Sequence, residues 1–157
     1  MNIVADEARP ALAWGLVFVV AAVASGAIVA GASLIVDPTG AGVGLPLSVL
    51  AGTVFADFFL PGLLLLVLVG LSGAVVAIGL VGRWWWAWPA TFVYGLVVIV
   101  WIAVQVSILG LVSVLQPVVG LAALIIVWAL VHPRIADFYR AREGIAHLLG
   151  TRPRWNG

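Results

Sequence analysis

The sequence predicts an all-α fold: a polytopic four-helix membrane bundle followed by a cytoplasmic amphipathic C-terminal helix. Three observations carry that expectation. Of 157 residues, 65% are hydrophobic and 8% charged, with a mean hydropathy of +1.29, whereas a soluble domain carries about 25% charged residues. Apolar runs recur at the length of about 20 residues that a helix needs to cross a ~30 Å hydrocarbon layer. The few charges stand at the ends of those runs, not inside them. A single membrane domain over 1–157 accounts for the length.

The first span is expected over 11–36, between Arg9-Pro10 and Asp37-Pro38. Its leader, MNIVADEARP, carries two acids against one Arg, so the span reads as retained and not as a cleaved signal. The loop after it opens with DPTGAGVG, flexible by composition. Residues 45–59 are too apolar for a free loop and too short to span, which predicts an interfacial or partly re-entrant helix on the outer rim. Asp57 is the candidate outer cap, placed where a carboxylate meets the positive end of the next helix. Spans follow over 61–82, 89–110 and 114–131. Pro61, Pro89 and Pro117 open their helices, where a missing amide hydrogen costs nothing.

Residues 134–149 place Ile135, Phe138, Ile145, Leu148 and Leu149 on one face. That pattern predicts an amphipathic helix on the cytoplasmic leaflet, or alternatively an ordinary solvated tail helix. The charges orient the whole. All seven basic residues are Arg (Arg9, Arg83, Arg134, Arg140, Arg142, Arg152 and Arg154), and all fall on one side if both termini share it. The positive-inside rule then puts both termini in the cytoplasm of a multi-pass protein of the bacterial inner (plasma) membrane. Trp14, Trp84, Trp85, Trp86, Trp88 and Trp128 form the inner aromatic belt, and Phe55, Phe58 and Phe59 the outer one.

Within the third span, Thr91, Tyr94, Val98, Trp101 and Gln105 alternate at three- and four-residue spacing and share one face. An amide in hydrocarbon is costly unless paired, so this face must turn inward. Gln116 lies at similar depth on the neighbouring span. The two amides are expected to cross-brace the outer ends of the hairpin, directly or through a water. The alternative makes Tyr94, Trp101 and Gln105 the wall of a lipid or ligand pocket. Small residues recur at close-packing spacing in the first two spans: Ala22, Gly26 and Ala30; Ala27 and Gly31; Gly62, Gly70 and Ala74; Gly79 and Gly82. Packing within the bundle and packing against another protein both remain open for them.

Several chemistries find no support in the residues. The chain has no Cys, which removes thiolate nucleophiles, disulfide exchange and Cys-ligated metal. GLSG at Gly70–Gly73 has the form of an intramembrane protease motif, but Ser72 is expected mid-membrane, whereas His132 falls at the cytoplasmic end and His147 in the tail, out of reach as a base. His132, Asp137 and His147 have no recognised metal spacing. No carboxylate lies inside a span, which leaves no coupling site for proton-driven export. GRWWWAW belongs to the membrane belt and not to nucleic-acid stacking. No enzyme activity, cofactor, metal or nucleic-acid partner is therefore expected.

FADFFLPGLLLLVLVG and WIAVQVSILGLVSVLQP together resemble a broad set of small bacterial four-helix integral membrane proteins, with an F-x-D-F-x-L-P-G … W-I-x-V-Q … L-Q-P pattern. Phe55, Asp57, Pro61, Gly62, Trp101, Gln105, Gln116 and Pro117 carry the likeness, over about residues 45–125. The resemblance implies the four-helix fold and no activity; the tail lies outside it. What remains is a non-enzymatic membrane protein. The leading expectation is an accessory or stabilising subunit of a larger membrane complex such as a transporter, in contact with lipids and with other integral membrane proteins or copies of itself. The alternative is a small lipid- or hydrophobic-ligand-binding module.

Overall fold

A computed structural model describes residues 11–110 and 115–131. The architecture is all-helical, with four helices: α1 (Ala11–Val36), α2 (Phe59–Gly82), α3 (Ala87–Leu109) and α4 (Leu115–Val131). The first three are long and apolar enough to cross a membrane. α1, with 26 residues, runs about 39 Å, and α4, with 17, about 25 Å. The leader, the tail over 134–149 and the residues 111–114 lie outside the described residues.

Local chemistry sets the ends. Pro61, Pro89 and Pro117 all stand third in their helices, within the first turn where no amide hydrogen is needed. α2 begins at Phe59, two residues before the span expected at 61, because Asp57 Oδ1 accepts the Phe59 backbone N–H at 2.9 Å. At its far end the Trp84 N–H donates to the Gly79 carbonyl (3.0 Å) and the Arg83 N–H to Leu80 (3.2 Å), with Arg83 in the left-handed region at φ 53°. That is a Schellman ending with Arg where glycine is usual. Gly110 closes α3 at φ 69°, its N–H donating to the Val106 carbonyl.

Successive helices pack side by side, and α4 closes the ring against α1. Leu16, Val20, Val69, Leu80, Val98 and Ile126 fill the centre, with Thr91 among them. The tightest seam joins α1 and α2. A Cβ on Gly31 would lie 2.8 Å from the Gly62 carbonyl oxygen, and one on Gly62 would lie 2.7 Å from Leu34 Cβ. Gly70 meets Ile28 in the same way. These small residues serve intramolecular packing, where dispersion contacts between closely set backbones replace the missing hydrophobic drive. Gly15 and Gly26 differ: a Cβ on either meets nothing within 4 Å.

α2 is not uniform. Phe59–Leu64 and Ser72–Gly82 are α-helical, but Leu65–Leu71 between them winds as π-helix. A π turn holds a surplus residue and occurs mostly as a short insertion at functional positions.

The connection from α1 to α2 corrects three expectations. No continuous helix forms over 45–59; a short 3-10 turn at Leu47–Leu50 stands there instead, preceded by another at Ala41–Val43. Glycines at 40, 44 and 52, all at positive φ, interrupt any longer helix. Leu50 and Phe58 turn inward onto Leu34, with Leu45, Val49 and Phe55 around them, forming a small second core. Phe58 is thus a core residue and not a belt aromatic. The Gly-rich start is a built turn, not a loose one. Asp37 Oδ1 accepts the Thr39 hydroxyl and its backbone N–H, while Oδ2 accepts the Gly42 N–H at 2.9 Å.

Candidate functional site: the inner face of the third helix

α3 is held between α2 and α4, so whatever faces inward from it meets both. Thr91 and Tyr94 are buried and Trp101 and Gln105 half-buried, so the predicted stripe runs from a closed half toward a more open one at the loop end. Val98, fully buried, separates the two halves.

The side chains resolve differently. Thr91 Oγ1 donates to the Ala87 carbonyl of its own helix at 2.7 Å, which satisfies a fully buried hydroxyl without a partner from another helix. Ser33, Ser72 and Ser107 do the same with the carbonyls four residues before them. Tyr94 is the exception. It is 2% exposed, and its hydroxyl has no hydrogen-bond partner among the described residues. The ring fits only because position 73 is glycine: a Cβ there would lie 2.5 Å from the phenol oxygen. Sequence reading picked out Tyr94 but missed Gly73 as its counterpart. GLSG was read for its serine, and periodicity gives no sign of which glycine meets which ring.

Gln105 and Gln116 make no direct hydrogen bond with each other. Gln116, buried, donates from Nε2 to the Gly110 carbonyl at 3.1 Å. The link is therefore from side chain to backbone, tying the start of α4 to the end of α3. A carbonyl at a helix end has no intrahelical donor, so it competes well for the amide. Asp57, one residue before the Phe58 N-cap of α2, is exposed and accepts the Phe59 backbone N–H through Oδ1.

At the opposite end of the bundle, Trp14, Trp84, Trp85 and Trp128 are exposed, whereas Trp86 and Trp88 are half-buried. Trp86 lies over Gly79, and Trp84 and Trp86 meet at 5.4 Å between ring centroids, tilted by 50°. Between the two ends the surface is apolar: Phe18, Val29, Val75, Ile78, Val93, Val100 and Leu121 are all exposed. Among the described residues outside the helices, Asp37 has its carboxyl held below the usual carboxylate range, by the Thr39 hydroxyl first and the Gly42 amide next.

Buried hydroxyls, an apolar girdle and aromatic residues at one rim define a class: a helical bundle with three helices fit to cross a membrane. Set beside family models, curated proteins and solved structures, the chain matches none. Function must therefore be argued from the residues themselves.

Proposed function

We propose that this chain is a multi-pass protein of the bacterial inner membrane, both termini cytoplasmic, serving as a non-enzymatic accessory or stabilising subunit of a larger membrane assembly such as a transporter. The carrying observation is the division among its helical glycines. Gly31, Gly62, Gly70, Gly73 and Gly79 are consumed by contacts inside the bundle, whereas Gly15 and Gly26 on α1, with exposed Ala22 between them, touch nothing. Small residues that the bundle leaves uncovered, here Ala22 and Gly26 between exposed Phe18 and Val29, give another helix a place to approach. The hydroxyls of Ser33, Ser72, Thr91 and Ser107, bonded to carbonyls of their own helices, offer little to a reacting substrate. Gentle extraction followed by mass spectrometry tests the reading. The wild type should carry a co-purifying membrane protein that Gly26→Leu loses at unchanged folded yield; a clean monomer from both would count against it.

A second reading is favoured by the half-buried state of Trp101 and Gln105 beyond the closed Thr91–Val98 segment. On this view the chain binds a lipid or other hydrophobic ligand at that face, with Asp57 and the 45–59 segment over it. Native mass spectrometry should then find a bound lipid that Trp101→Ala removes. Gln105→Leu separates the two roles: ligand loss at full stability marks a site, and lowered stability alone marks packing.

A further inference from the structure

We propose that the π turn of α2 is a movable register element whose second position brings Ser72 opposite the Tyr94 hydroxyl. Two independent features meet at this point. One is a phenol buried without a partner among the described residues, an arrangement that costs free energy while it lasts. The other is the surplus residue of Leu65–Leu71, a stretch that ends at Leu71, one residue before Ser72 and two before Gly73, the residue that faces Tyr94.

The geometry follows from helix counting. Moving the surplus residue about one turn toward the C terminus leaves both flanks of α2 in place. Between its old and new positions, each residue advances by the 100° and 1.5 Å of one α step and stands where its successor stood. Ser72 then takes the position of Gly73. Its hydroxyl, which donates to the Leu68 carbonyl of its own helix, keeps an oxygen lone pair with which it accepts the phenol O–H. The Tyr94 ring must withdraw slightly, because a Cβ at that position would lie 2.5 Å from its oxygen.

The same counting says which register rests. In the shifted one Val69 would enter the place of Gly70, where a Cβ already lies 2.8 Å from Ile28 Cγ1 and 3.1 Å from the Ile28 backbone nitrogen. That crowding opposes the hydrogen bond gained at Tyr94. The observed register is the ground state and the shifted one a minor state. The flank before the π turn is anchored by Gly62 against Gly31, and the flank after it by buried Val76, Ala77 and Leu80. Movement is thereby confined to the stretch between.

Relaxation-dispersion NMR of the full chain in detergent micelles tests this, since it reads microsecond-to-millisecond exchange between such states. The wild type should show exchange at the amides of Leu68–Gly73 and none at Val17–Val20 of α1. Tyr94→Phe and Ser72→Ala should each lower the minor population about five- to tenfold, the factor carried by one hydrogen bond, and the double variant should lower it no further. Flat profiles in the wild type overturn the proposal, as does exchange that persists undiminished in Tyr94→Phe or Ser72→Ala. Neither result depends on whether the protein is a subunit or a lipid binder.

Discussion

Tyr94 is where a single atom departs from the rules the rest of the chain obeys. The other buried hydroxyl among the described residues, that of Thr91, takes its own helix carbonyl, which a short side chain can reach and a phenol cannot. Removing an unpaired buried hydroxyl relieves its desolvation cost, so Tyr94→Phe is expected to stabilise the bundle by about 1–3 kcal/mol. Thermal unfolding in micelles checks it; a lowered midpoint would mean the hydroxyl is bonded. Asp37 behaves in the opposite sense. It stands at the negative end of the α1 dipole, an unfavourable place for a carboxylate, and Thr39 and Gly42 offset this by donating to it. Its folded pKa lies below the usual value of 3.8, so its contribution is present above that value and is lost as pH falls through the lower, folded one. The 37–44 turn should therefore hold at neutral pH and open in acid. Limited proteolysis at pH 3 against pH 7, with an acid-active enzyme common to both, would show this, and Asp37→Asn should open the turn at either pH.

Among the elements, glycine position decides the outcome of otherwise identical substitutions. Gly31→Ala and Gly62→Ala drive a methyl into the facing backbone and should each cost about 1–3 kcal/mol. Gly26→Ala meets open space, so it should gain about 0.5–1 kcal/mol from the entropy that glycine gives up in a helix. Denaturant titration in mixed micelles compares all three; equal losses would mean that α1 is covered on both sides. At the hairpin, Gln116→Leu removes the bond to the Gly110 carbonyl and should cost about 1 kcal/mol. Faster amide exchange would then appear at the last turn of α3 and the first of α4. Spacing placed both glutamines near this hairpin and gave the reason for pairing them. It could not say that a nearby helix-end carbonyl would outbid the second amide.

For the whole molecule, the sidedness proposed from the Arg distribution is open to a direct check, because a chain without cysteine accepts single reporters cleanly. Thr39→Cys should react with a membrane-impermeant maleimide in intact cells, and Trp85→Cys only after permeabilisation. The reverse pattern would invert the bundle and remove the basis for cytoplasmic termini.

The positions of four apolar helices, their openings at Pro61, Pro89 and Pro117 and the carboxylate of Asp57 just ahead of α2 were legible from the chain, because each depends on neighbours within a few residues. Span length, the place of proline and the reach of a carboxylate to the next amide are local properties, and a sequence states local properties directly. The pairing of Gly31 with Gly62 and of Gly73 with Tyr94, the free face at Gly26 and the inward turn of Phe58 depend on which helix lies opposite. The helices are hydrophobic on every side, so no amphipathic stripe announces the buried face. Close steric fit between backbones chose it, and that fit exists only once the helices have met.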